Sequence, residues 1–443
     1  MKYISVGILT AREVRFRLDT PYNINGATVE GEQTATAQPD GILWQGKLFN
    51  EITALPQDSH SPKGATGVFR EATECGFGPT KGSGSPFATE GKDGGAFRIY
   101  GVTIGKQFHW ERQQVQVFTG TLRLVWHEGQ IVVINELPLE DYLVSVISSE
   151  MKNTCSLEFL KASAVISRSW LLAQLTHKTH KAHKPYETQE ATDNELIRWW
   201  DREDHDLFDV CADDHCQRYQ GITVACNPNV QQAVNETRGQ VLMSDGEICD
   251  ARFGKCCGGQ TNEFQYCWQN IRKSYLSSVI DPFCNTSDRE VLSQVLNDYD
   301  LETRNFYRWQ VRFTQEGLRG LIERNLGMKF GDILNLEPLE AGPAGHISRL
   351  RIVGSTRTYI IGKELLIRKT LSTSHLLSSA FTVCLEDIEN NVPQTIILNG
   401  KGWGHGVGMC QIGAAVMGHQ GYSYQEILQH YYPGASLLRY DSR

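Results

Sequence analysis

The hydrophobic pattern of the chain is strand-like as far as residue 136 and turns helical just beyond it. Residues 1–10 alternate enough for a strand. Residues 11–95 are then rich in Gly, Pro, Ser, Thr and Asp between short apolar runs, which predicts a loop-heavy, β-rich section. Within it, Lys81–Gly95 is the candidate for a long exposed loop. Phe97–Ile104, Val115–Trp126 and Gln130–Glu136 carry many β-branched and aromatic residues with partial alternation. Since His127-Glu-Gly-Gln reads as a turn, the pattern predicts strands and a hairpin here.

Pro138 suits a first helical position, and Leu139, Leu143 and Ile147 mark one apolar stripe that continues toward Glu150. Thr154 or Ser156 can cap the next helix, where Leu157, Leu160, Ala164, Leu171 and Leu175 form a core stripe with Arg168 inside it. From residue 285 to 400, strand-like runs at Arg308–Phe313, Ile347–Val353 and Ser379–Leu385 alternate with an amphipathic helix near Glu316–Leu326. A last helix near Ser423 has a capping box with Glu426 and ends before Pro433. The pattern as a whole predicts an α+β fold.

Composition narrows the function classes. With 443 residues the chain has room for two or three domains, and a net charge of −8 without a basic tract gives no support to nucleic-acid binding. No apolar run is long enough to span a bilayer, and the first ten residues read as a strand of the fold, not as a secretory leader. Among the 12 cysteines, Cys211 and Cys216 stand with His205 in a His-x5-Cys-x4-Cys cluster. These three ligands suit one tetrahedral zinc ion, with a fourth position for water or another side chain; two free or disulfide-bonded cysteines are the alternative. His215, beside Cys216, is a further ligand candidate or a substrate contact. Cys256, Cys257, Cys267, Cys284 and Cys384 are scattered without metal spacing.

Residues 400–413, Gly-Lys-Gly-Trp-Gly-His-Gly-Val-Gly-Met-Cys-Gln-Ile-Gly, place five glycines at alternate positions, a costly pattern that argues for close backbone approach. Trp403 offers a sugar-sized apolar face, His405 a titratable ring and Gln411 an amide that both gives and accepts hydrogen bonds, so a polar ring ligand is the natural guest. The plainer reading is a tight glycine corner around a buried tryptophan. No phosphate-binding loop or dinucleotide fingerprint is present. Arg168 on an apolar stripe demands a partner: either a buried ion pair or a substrate carboxylate, of which the sequence reading prefers substrate binding.

Four ordered blocks carry a resemblance. Gly-Trp-Gly-His-Gly-Val-Gly-Met-x-Gln-x-Gly-Ala is followed by Gly421-Tyr-Ser-Tyr-Gln-Glu-Ile-Leu and His430-Tyr-Tyr-Pro-Gly. Earlier come Leu137-Pro-Leu-Glu-Asp-Tyr-Leu with Val146-Ile-Ser-Ser-Glu-Met and Leu160-Lys-Ala-Ser-Ala-Val-Ile-Ser-Arg-Ser-Trp, then Cys211-Ala-Asp-Asp-His-Cys-Gln-Arg-Tyr-Gln-Gly, and then Ala233-Val-Asn-Glu-Thr-Arg-Gly-Gln-Val-Leu. Together they resemble the stage II sporulation protein D family (SpoIID/LytB) over most of residues 117–443. The resemblance implies a peptidoglycan lytic transglycosylase that cuts between MurNAc and GlcNAc and leaves 1,6-anhydro-MurNAc ends. It also implies that Glu150, the glutamate before Met151, is the catalytic acid, that Tyr219 and Gln411 bind substrate, and that zinc lies near the active site.

A glycosidic bond needs an acid still protonated near neutral pH, which apolar surroundings favour, and Glu150 flanked by Val146, Ile147 and Met151 matches that demand. One departure stands out: Phe253-Gly-Lys-Cys-Cys-Gly-Gly-Gln-Thr-Asn-Glu occupies the place of the family's Ser-Ser-Gly-Gly-Tyr-Thr-Glu, so Cys256, Cys257 and Gln260 replace two serines and a tyrosine. The expected architecture is a β-rich segment at 1–115, a zinc-bearing catalytic core at 116–284 and an α+β region at 285–443, with the glycine-rich loop closing a cleft over Glu150. Alternatives are a noncatalytic wall-binding activator of an amidase and a zinc hydrolase of peptide stems. Peptidoglycan as partner implies work in the cell envelope.

Overall fold

The computed structural model describes residues 2–57, 95–104, 112–151, 154–180, 187–200, 205–213, 216–223, 228–296 and 305–440. The expected loop Lys81–Gly95 therefore lies, all but Gly95, outside the described residues. The fold mixes strands with eight α-helices among those residues. The chain divides into two compact units, one made of Ile8–Val102 and Gln113–Leu137, the other of Met1–Gly7, Thr103–Arg112 and Pro138–Arg443, in place of the three consecutive segments expected.

The first unit is antiparallel β. Glu13–Ile24 pairs on its edges with Ala27–Gln38, Glu51–Pro56 and Ala96–Ile104, and Thr121–His127 joins Glu51–Pro56 to Gln130–Pro138. Val14, Phe16 and Leu18 are buried between exposed Glu13, Arg15 and Arg17, the alternation of a half-buried strand. In the core Tyr22 meets Phe97 edge-on at 6.1 Å, and Phe97 stacks on Phe118 at 5.4 Å. Ala27–Gln38, which falls in the section expected to be loop-heavy and β-rich, is a strand whose polar side chains mostly face solvent. Asn25 and Gly26, both at positive φ, form the tight hairpin before it. The run Val115–Trp126 is two strands, Arg112–Thr119 and Thr121–His127, parted at Gly120 (φ 91°).

The second unit holds the helices: α1 (Leu139–Glu150), α2 (Leu157–His180), α3 (Pro228–Glu236), α4 (Arg289–Val295), α5 (Gln315–Leu326), α6 (Glu364–Thr370), α7 (Gln411–His419) and α8 (Tyr424–Tyr431). Pro138 is the residue before α1 and not its first turn, whereas Ser156 caps α2 by accepting the Phe159 amide hydrogen. The Ser423–Glu426 capping box opens α8 as expected. Toward the C-terminal half, α5 and α6 cover strands Arg308–Thr314, Ile333–Ala341, Ile347–Gly354 and Val392–Lys401. Leu318, Ile322, Phe330, Ile352, Ile367 and Leu398 form one buried cluster there.

Helix α2 is the hub. It packs against α1, α3, α7 and α8 and against the strand Gln240–Ser244. Instead of a single stripe, nearly every side chain from Phe159 to Ala173 is buried, Ser163, Ser167, Arg168 and Ser169 among them, so its sequence is weakly amphipathic. The serines return their hydroxyls to carbonyls one turn back, Ser163 to Phe159 at 2.9 Å and Ser169 to Val165 at 2.7 Å. Arg168, 1% exposed, donates Nε and Nη2 to the two carboxylate oxygens of Glu140 at 3.2 and 2.6 Å and Nη1 to the Gln240 carbonyl at 3.0 Å. Its fork is thus filled by protein. The preferred substrate-binding role for Arg168 gives way to the ion pair that was its alternative, because a guanidinium this deep is held by the groups that desolvated it.

Breaking one half of this pair strands the other. Arg168→Met is expected to cost about 3–5 kcal/mol in urea unfolding, as for other half-removed buried pairs, and Arg168→Met with Glu140→Leu to recover part of that loss. A single-variant cost below about 1 kcal/mol, the range of exposed pairs, would contradict the reading.

Candidate functional site

Glu150 closes α1. The helix buries Leu139, Tyr142, Leu143, Val144, Val146 and Ile147, and the Met151 amide still donates to the Ile147 carbonyl before the backbone extends at φ −124°. That leaves Glu150 part-exposed beside a narrow cleft of only about 10 Å³, which it lines with Val146, Ile147, Met151, Ser163, Ile166, Ser167, Phe253, Met409 and Gln411. Gln411, 3% exposed, is the first residue of α7. Among the described residues, Glu150 makes no ion pair and no second carboxylate lines the cleft. Sequence reasoning named Glu150 and Gln411; it missed Phe253, Met409 and the serines of α2, ordinary residues that only packing brings here.

The glycine loop is built against the protein itself. Gly402, Gly404, Gly406 and Gly408 all hold φ between 71° and 104°. A Cβ on Gly408 would strike the Arg252 carbonyl, and one on Gly406 would come within 2.6 Å of the His346 ring. The close approach inferred from the glycines is therefore made to the segments around 252 and 346. Trp403 is half-buried and exchanges backbone hydrogen bonds with Cys256, and Phe253–Gly254 runs parallel to Met409–Cys410. Neither Trp403 nor His405 lines the Glu150 cleft, although Met409 and Gln411 on the same loop do.

His405 accepts the Val407 amide hydrogen on Nδ1 at 3.0 Å and meets the Trp268 ring at 4.9 Å, with the Arg252 guanidinium 4.5 Å from the Trp268 ring centre. Burial first, then Arg252, Arg368 and His346, pushes His405 down to about 3; burial first and then Arg368 does the same for His346. Both imidazoles are neutral at ordinary pH. Tyr219, expected at the substrate, is 1% exposed and stacked on Tyr142 of α1 at 5.4 Å, so its ring is core, and burial followed by the Asp141 charge raises its pKa. His215 lies outside the described residues.

Among the described residues, two groups of side chains could hold a metal ion. Donor atoms of His205, Cys211 and Cys216 all lie within 4.8 Å of one another, with Cys216 Sγ 3.6 Å from His205 Nε2. Local structure explains the convergence. Val210–Cys211 adds in parallel to Val6–Gly7, the Phe208 ring lies over Gly7 and against His205 at 4.4 Å, and the Cys216 amide turns back to the Asp213 carbonyl at 3.1 Å. The following residues dock on α1: Gln217 Oε1 accepts from the Tyr142 hydroxyl, and the Gln220 amide donates to Ser145 Oγ. The second group was not foreseen. Cys257, Asp281, Cys284 and Cys410, all buried, converge within the same limit, so cysteines judged scattered along the sequence are gathered in space.

Residues 127–243 match the family model for Stage II sporulation protein (SpoIID), and residues 262–408 match a domain of unknown function, DUF8618. An uncharacterized protein of Brachyspira hyodysenteriae is 26% identical over 324 residues, 73% of this chain and 73% of its own. Stage II sporulation protein D of Bacillus amyloliquefaciens is 26% identical over 309 residues, 70% of this chain and 76% of that protein. The amidase enhancer of Bacillus subtilis is 26% identical over 327 residues, 67% of this chain but 40% of that protein.

The two neutral histidines make stability depend on pH with a definite sign. Their folded pKa values, about 3, lie below the unfolded value of about 6.5, so the unfolded chain binds more protons between them. Stability is full above pH ~6.5 and falls as pH drops toward ~3, by up to about 1.4 kcal/mol per pH unit for each ring. Urea unfolding at pH 7, 5.5 and 4.5 should show a shallower decline for His346→Gln than for the parent; equal slopes would refute the assignment.

Proposed function

We propose that this chain, which carries a stage II sporulation protein D domain at residues 127–243, is a lytic transglycosylase of bacterial peptidoglycan that cuts between MurNAc and GlcNAc. The observation that carries the reading is the meeting of Glu150 and Gln411 in one apolar-walled cleft. In the reaction the Glu150 carboxyl gives its proton to the bridging oxygen as the bond from C1 breaks. The resulting carboxylate takes the proton of the MurNAc C6 hydroxyl, whose oxygen then bonds to C1 and closes the 1,6-anhydro ring. The enzyme ends as it began and no water is consumed.

Among the described residues that line the cleft, Glu150 is the one carboxylate. A hydrolase needs a second carboxylate about 5–9.5 Å from the acid, to act as nucleophile or to activate water. Of the sequence candidates, Glu140 is bound to Arg168, neither Asp141 nor Asp213 lines the cleft, and Asp214 lies outside the described residues. Gln411 can hold an N-acetyl group by giving and accepting hydrogen bonds. The half-exposed face of Trp403 suits stacking on a sugar farther along the strand.

His205, Cys211 and Cys216 fit zinc. Tetrahedral Zn–S and Zn–N bonds of about 2.3 and 2.05 Å put the two ligand atoms about 3.6 Å apart. Between Cys216 Sγ and His205 Nε2 the separation is 3.6 Å. A bound ion would supply a fixed charge and a tie for the loop; the loop's own residues, through Tyr219 on Tyr142 and Gln220 on Ser145, hold the helix that ends in Glu150. Peptidoglycan as substrate places the work in the cell envelope, and no helix among the described residues is long and apolar enough to cross a membrane. The named relative that enhances an amidase supplies the second reading, a wall binder that cuts nothing.

Product masses decide among these. Purified glycan strands without stem peptides should yield anhydro ends; ends heavier by one water would indicate a hydrolase, and intact strands a binder. Glu150→Gln should lower turnover by about 100-fold or more, the usual share of a general acid, with an unchanged melting temperature. Retained turnover would remove Glu150 from the role. His205→Ala should lower the melting temperature and slow cleavage only in proportion, whereas complete loss of activity in a folded variant would favour a zinc hydrolase.

A further inference from the structure

Cys257, Asp281, Cys284 and Cys410 form a sealed group that the cleavage mechanism does not use. Their exposures are 2%, 1%, 0% and 2%. Cys257 follows the short strand Phe253–Gly254, Asp281 and Cys284 share one turn, and Cys410 caps the N-terminus of α7. Cys257 Sγ stands 3.6 Å from Cys284 Sγ and 3.1 Å from Asp281 Oδ2. Backbone amides of Cys257 and Gly413 point at Cys410 Sγ from 3.3 and 3.5 Å, so this sulfur is an acceptor at the N-terminus of α7. Asp281 is fixed: Oδ1 accepts from the amides of Phe283 and Cys284 at 2.9 and 3.2 Å, and Oδ2, which also receives the Tyr431 hydroxyl at 3.1 Å, faces the thiols.

We propose that Cys257, Cys284, Cys410 and Asp281 bind one zinc ion as a structural tie behind the wall of the Glu150 cleft. The chemistry of the donors selects the ion: three thiolates and one carboxylate suit a borderline-soft tetrahedral cation. The spacing agrees, because two thiolates on one tetrahedral zinc stand about 3.8 Å apart, given Zn–S bonds of about 2.3 Å. It also disfavours the alternatives. A disulfide requires sulfurs at about 2.05 Å, and a multi-iron cluster spreads its thiolates over separate metal atoms. On binding, each thiol gives up its proton to solvent, and the dication offsets part of the negative charge of three thiolates and a carboxylate, which would be costly in a closed core.

The tie joins the 253–257, 281–284 and 409–411 segments, from which Phe253, Met409 and Gln411 reach the cleft. It thereby sets the position of Gln411 without touching substrate.

Metal content of the full chain, purified without chelator and measured by inductively coupled plasma mass spectrometry, tests this apart from any glycan activity. Two zinc ions per chain are expected, and Cys257→Ser with Cys284→Ser should remove one while the His205 cluster keeps the other. A parent chain that holds only one ion and keeps it through this double change overturns the proposal, as does a count of two left unchanged by it, or a Cys257–Cys284 disulfide in the peptide map. If the double variant does not fold, Co2+ is loaded into His205→Ala with Cys216→Ser instead. Intense thiolate-to-cobalt absorption, lost on adding excess zinc, supports the site, and its absence in the folded protein overturns it.

Discussion

The buried fork between Arg168 and Glu140 is the contact on which the helical unit depends. It ties the start of α1 to the middle of α2 and, through the Gln240 carbonyl, to the strand that pairs with Ser436–Arg439. Charges this deep are stable only when every donor is answered, and the carboxylate also accepts the Gly239 amide hydrogen at 3.3 Å. With its first turn held this way, α1 projects its last residue, Glu150, over α2 and toward Phe253 and Met409. Helix direction, and so the placement of the acid, follows from an interaction at the opposite end of the helix.

A second set of constraints fixes the facing wall. The glycines of the 400–413 loop accept left-handed φ so that this backbone can lie against Arg252 and His346, and Phe253–Gly254 is drawn alongside Met409–Cys410. Histidines enclosed there stay neutral because burial penalises their charged form and the nearby guanidiniums add to the penalty. Each wall is backed by a group of side chains that could hold a metal ion, one docking on α1 and one beneath the loop.

Much of this was written locally. The apolar stripe of α1, the Ser156 and Ser423 caps, the turn at Glu128–Gly129 and the helix Gln315–Leu326 follow from spacing and turn chemistry that neighbouring residues set among themselves. The three donors at 205, 211 and 216 were legible for the same reason, since a short loop brings its own residues together. Ala27–Gln38 was legible only as part of a β-rich, loop-heavy section and not as a strand of its own, because a polar strand with one solvated face has the composition of a loop.

The sequence by itself determined the strand-rich start, the helices at 139–150, 157–180, 315–326 and 424–431, and that the glycine loop would bring its backbone close to another segment; these are short-range consequences of periodicity and sterics. Tertiary structure alone decided that Arg168 answers Glu140 instead of a ligand, that Tyr219 is core, that Gln411 and not Trp403 shares the cleft with Glu150, and that Cys257, Cys284 and Cys410 meet around Asp281. Each of those outcomes joins residues far apart in the chain, and no local pattern records a distance that only the packing of helices and loops around α2 creates.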